Sequence, residues 1–160
     1  MQTAYLKMKY IQPVLWAVLC LAVGMVAGAL QAGSLKAWYP SLDKSALTPP
    51  DWVFPLAWTI LYVLMGLSIG LARKSDRPGR TPLTGIFLVQ LAVNFLWSVA
   101  FFFLRSPAAG LGLISVLFLL LLLYAWKSKG INNVSFQLFI PYILWVGFAW
   151  YLNLHVFLHN

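Results

Sequence analysis

The chain has 160 residues, of which 62% are hydrophobic and 9% charged, and its eleven Lys and Arg against three Asp and Glu give a net charge of +8. A soluble domain carries about 25% charged residues, so a soluble globular protein is excluded. A nucleic-acid partner is excluded too, because the cations sit at the ends of apolar runs and no basic stretch is interleaved with aromatics.

Between the cations lie charge-free runs at residues 10–35, 52–72, 81–104, 106–126 and 130–160. Each can hold the ~20 apolar residues with which a helix crosses a bilayer while satisfying its own amides. A β-barrel is ruled out because stretches such as residues 117–123, Leu-Phe-Leu-Leu-Leu-Leu-Leu, lack the alternation a lumen-facing strand needs. The fold class is all-α: a polytopic bundle of five transmembrane helices, forming one domain over residues 1–160 with the lipid bilayer as its partner.

The first span is expected over about residues 13–31, with Pro13 in its first turn. Lys7 and Lys9 ahead of it and Ala27-Gly28-Ala29 near its end loosely resemble a cleaved leader. Its apolar run exceeds the ~7–15 residues of a leader core, which favours a retained span. The longest connection follows, residues 32–51, and it mixes Trp38, Tyr39 and leucines with the Pro49-Pro50 pair, as expected of a loop that packs on something.

Span two covers about 52–72 with Pro55 in its first turn, and a short basic connection leads to span three at 83–104. Span four is expected at 107–126, and span five at 134–157 with a kink at Pro141. Eight of the eleven cations fall on the side of the N-terminus and three, Lys36, Lys44 and Arg105, on the other. The positive-inside rule then puts the N-terminus inside and the C-terminus outside. No internal repeat is evident, which weighs against the paired-repeat plan of many transporters.

In span three, Gln90, Asn94, Trp97 and Phe101 share one helical face. Two carboxamides within the bilayer suit either interhelical hydrogen bonding, worth about 0.6 kcal/mol each, or a polar spot in an aromatic pocket. Trp58 with Tyr62 and Met65, and Trp145 with Ala149 and Asn153, form comparable faces on spans two and five. No ionisable Asp, Glu, Lys or Arg lies within a span, which argues against proton-coupled transport and against acid–base catalysis.

His155 and His159 lack a third metal ligand nearby and suit the interface, so no metal is expected; the lone Cys20 suits inert packing. Gly24 with Gly28 and Gly66 with Gly70 follow the small-xxx-small pattern of close helix contact, either within the bundle or between two copies in a homodimer.

Three separated motifs then carry a resemblance. Trp38-Tyr39, Leu42, Lys44, Thr48-Pro49-Pro50 and Trp52-Val53-Phe54-Pro55-Leu56-Ala57-Trp58 with Leu61-Tyr62 form the first. Gln90-Leu91, Asn94, Trp97 and Phe101-Phe102 form the second, and Pro141-Tyr142, Trp145, Phe148-Ala149 and Leu152-Asn153 the third. Over its whole length the chain resembles the family of tryptophan-rich sensory proteins and mitochondrial translocator proteins, once called peripheral benzodiazepine receptors.

The resemblance implies a five-helix bundle whose long first loop, through Trp38, Tyr39, Pro49 and Pro50, lies as a lid over a pocket. It implies a pocket lined by Tyr39, Trp58, Tyr62, Asn94, Trp97, Trp145 and Ala149, and ligands such as protoporphyrin IX, haem and synthetic carboxamides or benzodiazepines. It implies a porphyrin as ligand rather than as an obligatory cofactor. The role expected is a receptor or sensor, not an enzyme. The alternatives are porphyrin transport, or photo-oxidative porphyrin breakdown involving Trp58 and Trp145.

Two departures stand out. Lys44-Ser45 and Leu47 replace the family's usual Lys-Pro and Trp, which predicts a looser or differently shaped lid. Nothing after Lys129 is cationic, which leaves the animal cholesterol motif unsupported. The short chain without a transit segment points to a bacterial cell envelope.

Overall fold

The computed structural model describes the backbone of residues 2–160 and the side chains of residues 11–160. It is all-helical across the described residues: α1 Gln2–Ala37, a 3₁₀ turn Tyr39–Ser41, α2 Val53–Lys74, α3 Arg80–Ser98 continued by a π turn Val99–Phe103, α4 Pro107–Ile131 and α5 Asn133–His159. All five α-helices are long and apolar enough to cross a membrane. Helix α1 packs chiefly on α2, α4 on α5 and α3, and α2 on α5.

Helix ends differ from the sequence expectation where breakers were overrated. Pro13 lies inside α1 rather than at its start, and the helix continues past residue 31 to Ala37. Gly33 lowers helix propensity by about 1 kcal/mol relative to Ala, but the next residue, Ser34, is buried and accepts from Arg105 Nε at 3.5 Å. That contact holds the last turns of α1 against the start of α4, so the connection to α2 begins only at Trp38. Pro141, by contrast, sits within α5 as expected, and the helix runs on through it.

Caps explain the other boundaries. Ser106 accepts from Ala109 N at 3.3 Å with Pro107 at the first helical position, starting α4. Asn132 accepts from Ser135 N at 2.9 Å and by itself links α4 to α5. Gly79, at φ 94°, supplies the left-handed residue before α3.

At the end of the bundle nearest the α2–α3 connection the helices touch backbone to backbone. A Cβ on Gly66 would lie 2.4 Å from Ala17 Cα, and one on Gly70 would lie 2.2 Å from Pro13 Cα. The α2 glycine pair is thus occupied by α1 of the same chain. Beside it, Ser68 Oγ donates to Ser135 O at 2.7 Å and meets Tyr124 Oη at 3.0 Å, all three residues being fully buried. Phe139 packs on Tyr124 with ring centroids 4.1 Å apart. This end is closed and solid.

Candidate functional site

At the opposite end the helices diverge around a cavity of about 510 Å³, within the range of small-molecule pockets. Its aromatic walls come from three elements. Helix α2 contributes Phe54, Trp58 and Tyr62; α3 with its π turn contributes Trp97, Phe101 and Phe102; α5 contributes Trp145. The rings contact one another: Trp58 lies 5.7 Å from Trp97 and 5.8 Å from Tyr62, Phe54 lies 6.1 Å from Trp145, and Trp97 stacks on Phe101 at 6.3 Å.

The π turn accounts for one feature the sequence did not betray. Leu104 N bonds Val99 O at 2.8 Å, one residue further back than an α-helical bond reaches. The wider turn brings the consecutive side chains Phe101 and Phe102 to the same cavity, whereas α-helical neighbours are about 100° apart.

Six of the seven expected lining residues border the cavity: Tyr39, Trp58, Tyr62, Trp97, Trp145 and Ala149. Asn94 does not. It is 1% exposed and sits behind Tyr62, accepting from Tyr62 Oη at 3.3 Å and donating through Nδ2 to Tyr142 Oη. Tyr142 Oη in turn donates to Gln90 Oε1 at 3.2 Å. The carboxamide face of α3 therefore serves interhelical hydrogen bonding, the alternative that left the pocket out. Trp97 does face the cavity, with its Nε1 tied to Asn153 Oδ1 at 3.2 Å.

The wall that sequence reading missed is α1. The spacing of Gly24 and Gly28 points only to close helix packing. Both line the cavity: Gly24 also packs closely, since a Cβ there would lie 2.3 Å from the Tyr62 ring, whereas Gly28 has nothing within 4 Å.

The loop covers the cavity at one edge. Tyr39 is buried among Phe54 and Phe102, with ring centroids 6.4 and 5.7 Å away, and Lys44 Nζ lies 4.9 Å over its ring. Burial, with the nearby Asp51 carboxylate adding to it, pushes the Tyr39 hydroxyl up to about 12, so it stays a neutral donor. Trp38 packs on Phe101 at 5.6 Å without lining the cavity. Pro49 and Pro50 also lie outside the lining and lead into α2, where Val53 N bonds Pro50 O at 2.9 Å.

Two further ties fasten the loop to α5. Ser45 Oγ meets Tyr151 Oη at 2.9 Å, and Asp43 exchanges two hydrogen bonds with the Asn160 side chain, at 2.9 and 3.2 Å. The departure at Ser45 thus gives the loop a hydrogen-bonded anchor, while Leu47 is 64% exposed and anchors nothing.

Polar groups within the cavity are sparse. Trp145 lines the cavity with its indole ring, while its Nε1 is buried without a hydrogen-bond partner. Lys36 and Asp51 are the charged residues of the lining, both exposed and both outside the apolar depth. His155 and His159 stack at 4.0 Å beside Asp43, away from the cavity lining. No group of three His, Cys, Asp or Glu that could hold a metal occurs among the described residues.

A family model described as the TspO/MBR family matches residues 16–158. The chain is 34% identical to the tryptophan-rich protein TspO of Archaeoglobus fulgidus over 143 residues, covering 88% of this chain and 91% of that one. It is 33% identical to protein CrtK of Rhodobacter capsulatus over 145 residues, 89% of each chain. It is also 30% identical to the human translocator protein over 131 residues, 77% of this chain and 75% of that one.

Proposed function

From its membership of the TspO/MBR family, we propose that the chain is an integral membrane receptor for porphyrins, protoporphyrin IX or haem, and for similar flat hydrophobic molecules, regulating tetrapyrrole handling or a stress response. One observation carries the reading: a cavity walled by seven aromatic rings from α2, α3 with its π turn and α5. Flat aromatic ligands stack on such walls. We place the basic side of the bundle, with the N-terminus, inside.

The test is a titration of the purified protein in nanodiscs with protoporphyrin IX, followed by tryptophan quenching. Saturable quenching that a Trp145→Ala substitution weakens is expected. Non-saturable, lipid-like partitioning would overturn the reading.

A second reading, photo-oxidative breakdown of the bound porphyrin, draws on the run of oxidisable rings from Trp58 to Trp97, Tyr62 and Tyr142, the last with its centroid 6.2 Å from that of Trp58. Illumination with bound protoporphyrin separates the two. Identical products from the wild type and a Trp58→Phe, Trp145→Phe double variant would discard the second.

A further inference from the structure

The cavity runs along one face of α1, touched by Leu21, Gly24, Gly28, Ala32, Leu35 and Lys36. At ~1.5 Å per residue this furrow is about 22 Å long. Apart from Gln31, whose Oε1 accepts from Ser98 Oγ at 2.9 Å, it is apolar or glycine until the last turn of α1, where Lys36 stands exposed at the rim. The furrow therefore has a polarity: an apolar depth and a cationic end.

The state of the neighbouring cations singles out this lysine. Three cations lie on the loop side of the bundle. Lys44 is held over the Tyr39 ring and Arg105 donates to Ser34. Lys36 has no ion pair, hydrogen bond or ring contact among the described residues. An ammonium at the end of an apolar furrow, at the depth where bilayer gives way to water, is placed to meet an anionic group, and partial desolvation strengthens such a pair over one in open water. The other charged residue of the lining, Asp51, precedes α2 and carries the opposite sign.

We propose that Lys36 is a specificity residue of the cavity, pairing with a carboxylate at one edge of the ligand while the ligand's apolar body lies along the α1 face. The site then selects flat or elongated amphiphiles with an anionic edge over neutral molecules of the same shape. This rests on the reading of the cavity as the porphyrin site. Asp51 opposes a carboxylate that approaches from the α2 side, so the ligand is held in one orientation.

Protoporphyrin IX and its dimethyl ester share a ring and differ in charge, which makes them the probes. Both are titrated against the full chain in nanodiscs of zwitterionic lipid, with the wild type, Lys36→Met, Lys36→Arg and Asp51→Asn. Lys36→Met should weaken the diacid by about threefold to tenfold, with the diester, lacking the charge that Lys36 reads, changed far less. Lys36→Arg should restore the diacid, and Asp51→Asn should strengthen it. Added salt should shrink the diacid preference of the wild type.

The proposal is overturned if Lys36→Met leaves diacid affinity unchanged, which assigns the lysine to lipid phosphates. It is equally overturned if diacid and diester weaken together, which assigns it to packing. The unfolding midpoint of each variant checks that the bundle is intact. Should the wild type bind neither porphyrin, the porphyrin reading itself falls; should it bind both without regard to Lys36, only this inference does.

Discussion

The two ends of the α1–α2 pair carry the same kind of motif and put it to opposite use. Gly66 and Gly70 meet the α1 backbone so closely that no Cβ fits, whereas Gly28, at the other end of the same helix pair, faces open space. The pair is clamped at one end and open at the other, like a hinge held by its pin. A small-residue pattern reports that something comes close or that something must be admitted, and only the partner across the gap decides which. Solid packing on the basic side allows the loop side to keep a cavity, because the bundle does not depend on that half for its cohesion.

The sharpest way to break this contrast is to place the same methyl group at both ends. Gly70→Ala should cost about 1–3 kcal/mol, since the intruded atom is Pro13 backbone that cannot rotate away, and the detergent unfolding midpoint should fall. Asn94→Leu tests whether the layer beneath the cavity belongs to the clamp. It leaves the Tyr62 and Tyr142 hydroxyls without their shared amide and should cost about 1–2 kcal/mol, read in the same melts. If porphyrin affinity falls with no loss of stability, Asn94 belongs to the cavity after all.

Gly28→Ala should go the other way, adding about 0.5–1 kcal/mol through helix propensity while weakening protoporphyrin binding by narrowing the furrow. Stability changes of opposite sign at Gly70 and Gly28 would be the clearest form of the contrast. The smallest effect is expected at the lid. Ser45→Ala removes the Tyr151 bond, worth about 0.5 kcal/mol, and should leave the melt unchanged while amides across residues 39–47 exchange faster. Protoporphyrin should slow those amides in the wild type. Exchange unaffected by ligand would mean that the loop is a fixed rim rather than a cover.

The five spans and the aromatic faces were legible because hydrophobic run length and helical periodicity are local properties. Trp58, Tyr62, Trp97, Trp145 and Ala149 fall on inward faces by spacing alone, and the structure brings them to one cavity. Asn94 was misplaced for a reason spacing cannot cure. The same face serves a pocket or a hydrogen-bonded core, and the Tyr142 hydroxyl that decides between them comes from another helix. The α1 wall was missed because glycine and alanine announce closeness without saying to what. The anchor at Ser45 depends on Tyr151, 106 residues away, a separation no local pattern spans.

The π turn at Val99–Phe103 makes the aromatic content of the cavity a matter of chain length rather than residue identity. Deleting one residue there would return the segment to α-helical register and swing one of Phe101 and Phe102 about 100° away from the cavity, with every core side chain still present. A shift in ligand size preference could therefore arise from a single-codon deletion, a route closed to the clamped end, where any change of register would drive Cβ atoms into the α1 backbone.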